Sequence, residues 1–195
     1  MTTPSFNGLS VLALESRRSR EIAKLIENLG GVPVVAPSVK EVALESNEEA
    51  LSFARNLSEH KVDFVIFTTG VGVNALASAV ESECSREELA RRLNEVTVVA
   101  RGPKPSAVLR ELGVQVSLAV PEPNTWRDLL ALLDQNKATF PVEGRRVVVQ
   151  EYGVTNADLL AGLRDRGAVV MPVNVYQWAL PDDLAPLEDL SLIHI

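Results

Sequence analysis

Apolar β-branched runs recur along the chain, and most are followed by a segment of 3.6-residue period that stops near a glycine. That alternation builds a parallel sheet covered by helices. Seven strands are predicted: Leu9–Glu15, Val32–Leu44, Asp63–Thr68, Val96–Arg101, Val114–Ala119, Arg145–Glu151 and Val169–Tyr176. Over Arg18–Leu29, Ile22, Leu25, Ile26 and Leu29 fall on one stripe before the Gly30-Gly31 stop, which reads as an amphipathic helix. Asp63–Thr68 (DFVIFT) is a continuous apolar run closed by Thr68-Thr69-Gly70, the mark of a strand buried on both faces. Further helices are expected over Glu48–Ser58 and after Gly70, Ser85, Pro105, Thr125 and Thr155. Val32–Leu44 differs, because Pro33 and Pro37 carry no N–H; it is excluded from the middle of a sheet and suits an exposed ribbon or linker.

The order of these elements implies two domains. Residues 9–31 cannot bury their apolar faces alone, since a stable sheet needs about three strands. Residues 45–171 hold enough strands and helices for a self-sufficient domain. The expectation is that 1–36 supply the first βα unit of domain 1, that 37–44 and 172–180 are linker strands, and that 45–171 form domain 2, inserted in domain 1. The rest of domain 1 is expected past about Asp189. The last six residues, Leu190–Ile195 (LSLIHI), are the translation of CTG TCT CTT ATA CAC ATC, a string that resembles a transposon-end adapter used in DNA library preparation. The tail is therefore expected to be an artefact, with no role for His194. A fragment ending there is expected to be inactive, because its orphan βα unit exposes apolar surface.

Composition narrows the function classes. Of 195 residues, 46% are hydrophobic, enough for one ordinary core or two small ones, and a soluble globular protein is expected. No apolar run reaches the roughly 18 to 20 residues of a membrane span, and the start lacks signal-peptide order, so a cytoplasmic location without membrane contact is expected. Nineteen Lys and Arg against 26 Asp and Glu give a net charge of −7. Nucleic acid is excluded as a partner on that footprint, and the 5% aromatic content offers no base-stacking surface. With Cys84, His60 and His194 as the whole complement of Cys and His, no disulfide forms and no zinc cluster assembles; neither metal nor cofactor is expected.

Candidate chemistry lies at the strand ends, where α/β sheets bind ligands against helix N-termini. Four edges stand out: Thr68-Thr69-Gly70, Arg101-Gly102-Pro103-Lys104, Pro121 to Thr125 (PEPNT), and Gln150 to Gly153 (QEYG). Each joins turn formers to backbone N–H groups able to hold carboxylates; the same residues also serve as ordinary turns and caps. Ser16-Arg17-Arg18 after the first strand reads either as a carboxylate clamp or as a solvated helix start. Tyr176 reads either as a packing residue or as a phenol that donates a proton into a cleft. Gly70-Val71-Gly72 lacks the third glycine of a dinucleotide fingerprint, and neither a phosphate loop nor a Gly-x-Ser-x-Gly elbow occurs.

Taken in order, VLALESRRSREIAKLIENLGGVPVVAPSV, DFVIFTTGVGV, VVARGPKPSAVLRELGV and VVVQEYGVTNADLLAGLRDRGAVVMPVNVYQW resemble the uroporphyrinogen-III synthase family over the chain to about Pro186. The resemblance implies an α/β fold of two flavodoxin-like, parallel three-layer domains joined by a two-stranded β-ladder, with domain 1 incomplete here. It implies cyclisation of hydroxymethylbilane, a linear tetrapyrrole with eight carboxylates, with loss of water and inversion of the last ring by way of a spiro intermediate. No cofactor is implied, and a monomer is expected. Tyr176 matches the family tyrosine proposed to assist departure of the hydroxyl. Ser16, Arg17, Thr68, Thr69, Gly70, Arg101, Gly102, Lys104, Ser106, Asn124, Thr125, Tyr152 and Gly153 are the expected substrate contacts. Where the family often places a Thr hydroxyl, Pro105 stands here beside Ser106. The competing class is a non-catalytic flavodoxin-like module that binds a small anion.

Overall fold

The structure, a computed structural model, describes residues 5–43, 47–151 and 153–192. The chain divides into two compact units, Met1–Val42 with Trp178–Ile195, and Ala43–Gln177.

In the first unit, strand β1 (Ser10–Ala13) leads through helix α1 (Ser19–Asn28) to β2 (Val32–Val35), and the strands pair in parallel from Ser10↔Val32 to Ala13↔Val35. Helix α1 ends where Gly30 takes φ +71°, a left-handed turn that suits glycine. Gly31 follows, and a Cβ there would lie 2.9 Å from Ile26 Cγ2, so its bare backbone lets Ile26 bury. Leu9, Leu12, Leu25 and Val32 stay at least half exposed.

The predicted ribbon over Val32–Leu44 is corrected: it is two strands with separate partners. Val32 N donates to Leu9 O at 2.9 Å and Ala36 N to Ala13 O at 2.9 Å, so alternation turns the Pro33 nitrogen to the outer edge, where no donor is needed. Strand β3 (Lys40–Ala43) pairs instead with β9 (Tyr176–Ala179). Beside it, Lys40 Nζ forms an ion pair with Asp182. Within the stretch expected as a linker strand, 172–180, residues up to Asn174 belong to β8 (Val169–Asn174) and pair with β7 (Arg146–Glu151), and β9 follows from Tyr176.

The second unit opens with α2 (Glu48–Ser58), whose N-cap Asn47 accepts from Ala50 N. A five-stranded parallel sheet follows, ordered β6-β5-β4-β7-β8, with β4 (Phe64–Phe67), β5 (Thr97–Ala100) and β6 (Leu118–Ala119). Counted within the unit, this is the order 3-2-1-4-5. That order differs from the 2-1-3-4-5 of flavodoxin itself. Here the chain steps outward twice on one side of β4 before it crosses to β7. Every residue of β4 is buried, as expected for a central strand covered on both faces. Its neighbours Val99, Val147 and Val149 pack with Leu129 and Leu133 of α6 (Trp126–Gln135) and Leu159, Leu160 and Leu163 of α7 (Ala157–Asp165).

On the connecting path lie α3 (Gly70–Ala79), α4 (Arg86–Leu93) and α5 (Pro103–Glu111). Helix α5 begins at Pro103, ahead of the start expected after Pro105, because Pro103 presets the first helical φ. β6 is shorter than predicted, since Val114 N returns to Leu109 O to close α5 and only Leu118 and Ala119 reach the ladder. Beyond β9, α8 (Ala185–Leu192) ends the described chain; 193–195, including His194, lie outside the described residues. Among the described residues no helix is long and apolar enough to cross a membrane.

At the N-terminal edge of this sheet, Asp63 Oδ2 accepts from Arg146 N and Nε, each at 2.8 Å, and Oδ1 accepts from Nη2 at 2.9 Å. These bonds hold the Asp63 carboxyl down at about 2. The folded value lies below the unfolded one, so the stabilisation is complete above pH ~4 and is lost as pH falls through about 2. Asp63→Asn is expected to cost about 1 kcal/mol at pH 7 after solvent screening, the difference from wild type vanishing between pH 4 and pH 2. Urea unfolding across that range checks it.

Candidate active site

Because all five strands run in one direction, their C-terminal ends share one edge, and α3, α5, α6 and α7 begin there. The strand order reverses between β4 and β7, the position at which open α/β sheets leave a crevice. Gln150, near the end of β7 and fully buried, fills it. Its Oε1 accepts from Thr68 N at 3.3 Å and Thr69 N at 3.4 Å, its backbone oxygen accepts from Thr68 Oγ1 at 2.9 Å, and its Nε2 donates to Glu151 O. Space for the carboxamide comes from Gly72, where a Cβ would lie 2.1 Å from Gln150 Nε2. Thr69 caps α3 by accepting from Gly72 N at 3.0 Å. Gly70 packs under α5, where a Cβ would stand 3.0 Å from Lys104 O. The Thr68 and Thr69 N–H groups, expected to serve a ligand, are thus held by Gln150.

At the ends of β5 and β6 the chain makes a second cluster. Gly102 adopts φ +106° as N-cap of α5, and a Cβ there would lie 2.8 Å from the Asn124 side chain. Asn124, itself at φ +60°, donates its amide N–H to Val120 O at 2.8 Å. Ser106 Oγ donates to Gly102 O at 2.8 Å, and Thr125 shares a capping box with Asp128. Pro103 and Pro105 remove two N–H groups from the first turn of α5 and leave Lys104 to supply one. Arg101 is different: among the described residues no carboxylate hydrogen-bonds or ion-pairs with its half-buried guanidinium, and burial draws its pKa below the ordinary value. Lys104 is exposed beside it in sequence.

A third cluster forms where β7 and β8 meet α2. Glu151, 3% exposed, accepts from Thr155 Oγ1 at 2.9 Å and Asn156 N at 3.2 Å, which ties the turn after β7 to the start of α7. Gly153 in that turn takes φ +66°; Tyr152 lies outside the described residues. Tyr176, 4% exposed, lines a concavity of about 380 Å³ with Glu49, Gly153, Thr155, Asn174 and Gln177.

Ser16 and Arg17 follow β1 in the first unit, where Arg17 N donates to Glu15 Oε1 at 2.9 Å; the three clusters above are built from the second unit. Sequence reasoning named Gln150 and Glu151 only as part of the QEYG edge, without a role, and passed over Asn174 and Glu49. For Gln150 and Glu151 a signal existed, since two polar residues end an apolar strand run; for Glu49 and Asn174, 125 positions apart, there was none.

The fit of Gln150 over Gly72 gives a direct test. Gly72→Ala is expected to destabilise the fold by about 1–3 kcal/mol, as overpacking does. Gln150→Ala in the same chain is expected to recover much of that loss, a coupling that a double-mutant cycle of unfolding free energies measures.

Comparison with known proteins agrees with this architecture. The sequence model described as uroporphyrinogen-III synthase HemD matches residues 20–191. An uncharacterized Bacillus subtilis protein, YjjA, is 32% identical over 168 residues, 86% of this chain and 60% of its own length. A Methanothermobacter thermautotrophicus protein named "Putative uroporphyrinogen-III synthase" is 34% identical over 89% of this chain and 63% of its own. The crystal structure of a mutant uroporphyrinogen III synthase from Thermus thermophilus superposes with a TM-score of 0.71 at 28% identity, covering 90% of this chain and 64% of that one. A second Thermus thermophilus uroporphyrinogen III synthase structure gives 0.59, over 95% and 69%. The chain thus spans about 60% of the length of the curated relatives it matches. On the match over residues 20–191 and the parallel α/β architecture, the chain belongs to the uroporphyrinogen-III synthase family.

Proposed function

We propose that the complete protein acts as a uroporphyrinogen-III synthase in tetrapyrrole biosynthesis, closing hydroxymethylbilane to uroporphyrinogen III. Family membership over residues 20–191 carries this reading. The substrate bears eight carboxylates, and an acidic chain of net charge −7 must hold them by local donors. Arg101, half-buried with no carboxylate partner among the described residues, suits one of them, and Lys104 with the turns at Gly102, Asn124 and Gly153 suits others. Thr68, Thr69, Ser106 and Thr125 then act as supports, since each is engaged in a protein hydrogen bond.

The reaction asks for mild acid catalysis. The bond from carbon to the terminal hydroxyl breaks, its electron pair leaves with oxygen, and a proton converts that oxygen to water. In this reading the Tyr176 phenol supplies the proton, and the carbocation is attacked within the bound chain to give the spiro intermediate, from which the inverted ring closes. The linear substrate also closes without help to the uninverted isomer. Holding one attack geometry is therefore the larger part of the catalytic task. No cofactor enters this scheme.

The test is an assay of the complete gene product with fresh hydroxymethylbilane and separation of type I and type III isomers. Predominant type III is expected, with kcat reduced about 10²-fold or more in Tyr176→Phe, in the range of general acid catalysis. Arg101→Met is expected to raise KM several-fold with a smaller change in kcat, as loss of uniform binding does. Type I alone would reject the activity and leave a non-catalytic anion-binding module; type III with an unaltered Tyr176→Phe would keep the enzyme and discard the acid.

A further inference from the structure

We propose that Glu49 is a positioning residue for Tyr176, an inference that rests on the reading above. β8 is the edge strand of its sheet. Val169 N donates to Arg145 O at 2.8 Å, so alternation turns the nitrogens of Val170, Pro172 and Asn174 to the outer side, away from β7. Pro172 has no N–H to satisfy there, which fits an edge position. Asn174, the last residue of β8, does have one, and Glu49 Oε2 accepts it at 2.8 Å while also accepting from Asn174 Nδ2 at 3.4 Å. The carboxylate thus takes the place of a further strand at the point where the sheet ends.

That point governs the tyrosine. Only Val175, 3% exposed, separates Asn174 from Tyr176, the first residue of β9. Glu49 is in turn fixed on the first turn of α2, whose N-cap Asn47 lines the same concavity as Tyr176 and Asn174. The corner between β8 and β9 is therefore pinned on the β7 side by the ladder pair Glu151↔Asn174 and on the other by Glu49. Release of the second pin lets the corner shift, and a displacement of the order of 1 Å at an acid group costs about 10²-fold in rate.

The experiment measures kcat and KM for type III formation by the complete gene product with Glu49→Ala and Glu49→Gln, each made alone and together with Tyr176→Phe. Glu49→Ala is expected to lower kcat about 10- to 100-fold with KM changed less than about twofold. Glu49→Gln keeps an oxygen acceptor and is expected to stay within about threefold of wild type. Added to Tyr176→Phe, Glu49→Ala is expected to cost less than about twofold more, because the group it positions is already gone. Should Glu49→Ala fail to fold by circular dichroism, Glu49→Met, of similar length and without the acceptor, decides in its place. Equal losses with and without Tyr176→Phe, an unaltered Glu49→Ala, or a Gln variant as impaired as the Ala one would each overturn the assignment while leaving the activity intact. A wild-type protein that makes no type III would overturn the functional reading itself, and this inference with it.

Discussion

The carboxamide of Gln150 holds together the part of the sheet on which the candidate site depends. Where β4 and β7 end side by side and the strand order turns back, an open α/β sheet has a gap that many relatives of this architecture fill with a ligand. Here a fully buried side chain fills it, accepting from the two backbone N–H groups after β4 and donating to the backbone of β7. An unpaired N–H at this depth would cost a full desolvation penalty, so neither strand tip is free to move without the other. The bare Cα of Gly72 is the steric condition for it.

With the centre closed, the proposed chemistry falls to the flanks. On the β5 side stand Arg101 and Lys104; on the β7 and β8 side stand Glu151, Glu49 and Tyr176. Basic groups suit the carboxylates of a polyanion, whereas an environment with acidic and phenolic groups suits a carbon that loses its hydroxyl as water and becomes cationic. Under the proposed function, the separation places unlike electrostatic demands of the substrate on different strand ends. Under the same proposal, a chain with a net charge of −7 holds an anionic ligand by the location of its basic groups, not by overall field.

Capping accounts for the hydroxyls along the edge. Thr69, Thr125 and Ser106 were candidate contacts because small polar residues gather where strands become helices, and that gathering has two causes with the same sequence signature. Each hydroxyl is engaged by an N–H or carbonyl of its own helix start. Their contribution is to fix the direction of the helix, and with it the first-turn N–H groups that face the edge.

Much of the fold was legible along the chain because its signal is local. The apolar run DFVIFT marks a central strand, and the helix expected over Glu48–Ser58 has that range in the structure. Where prolines interrupt, as over Val32–Leu44, local pattern excluded a central strand but gave no sign that two short strands would find separate partners in β1 and β9. Strand order, which differs from that of flavodoxin itself, was likewise hidden: periodicity reports which face of a strand is buried and carries nothing about which strand lies beside it. The edges that hold Thr68, Arg101, Asn124 and Gly153 could be named from turn chemistry alone. That Gln150 closes the crevice and that Glu49 meets Asn174 across 125 positions were decided by tertiary structure, because a hydrogen bond between distant residues depends on a backbone geometry that neither residue encodes by itself.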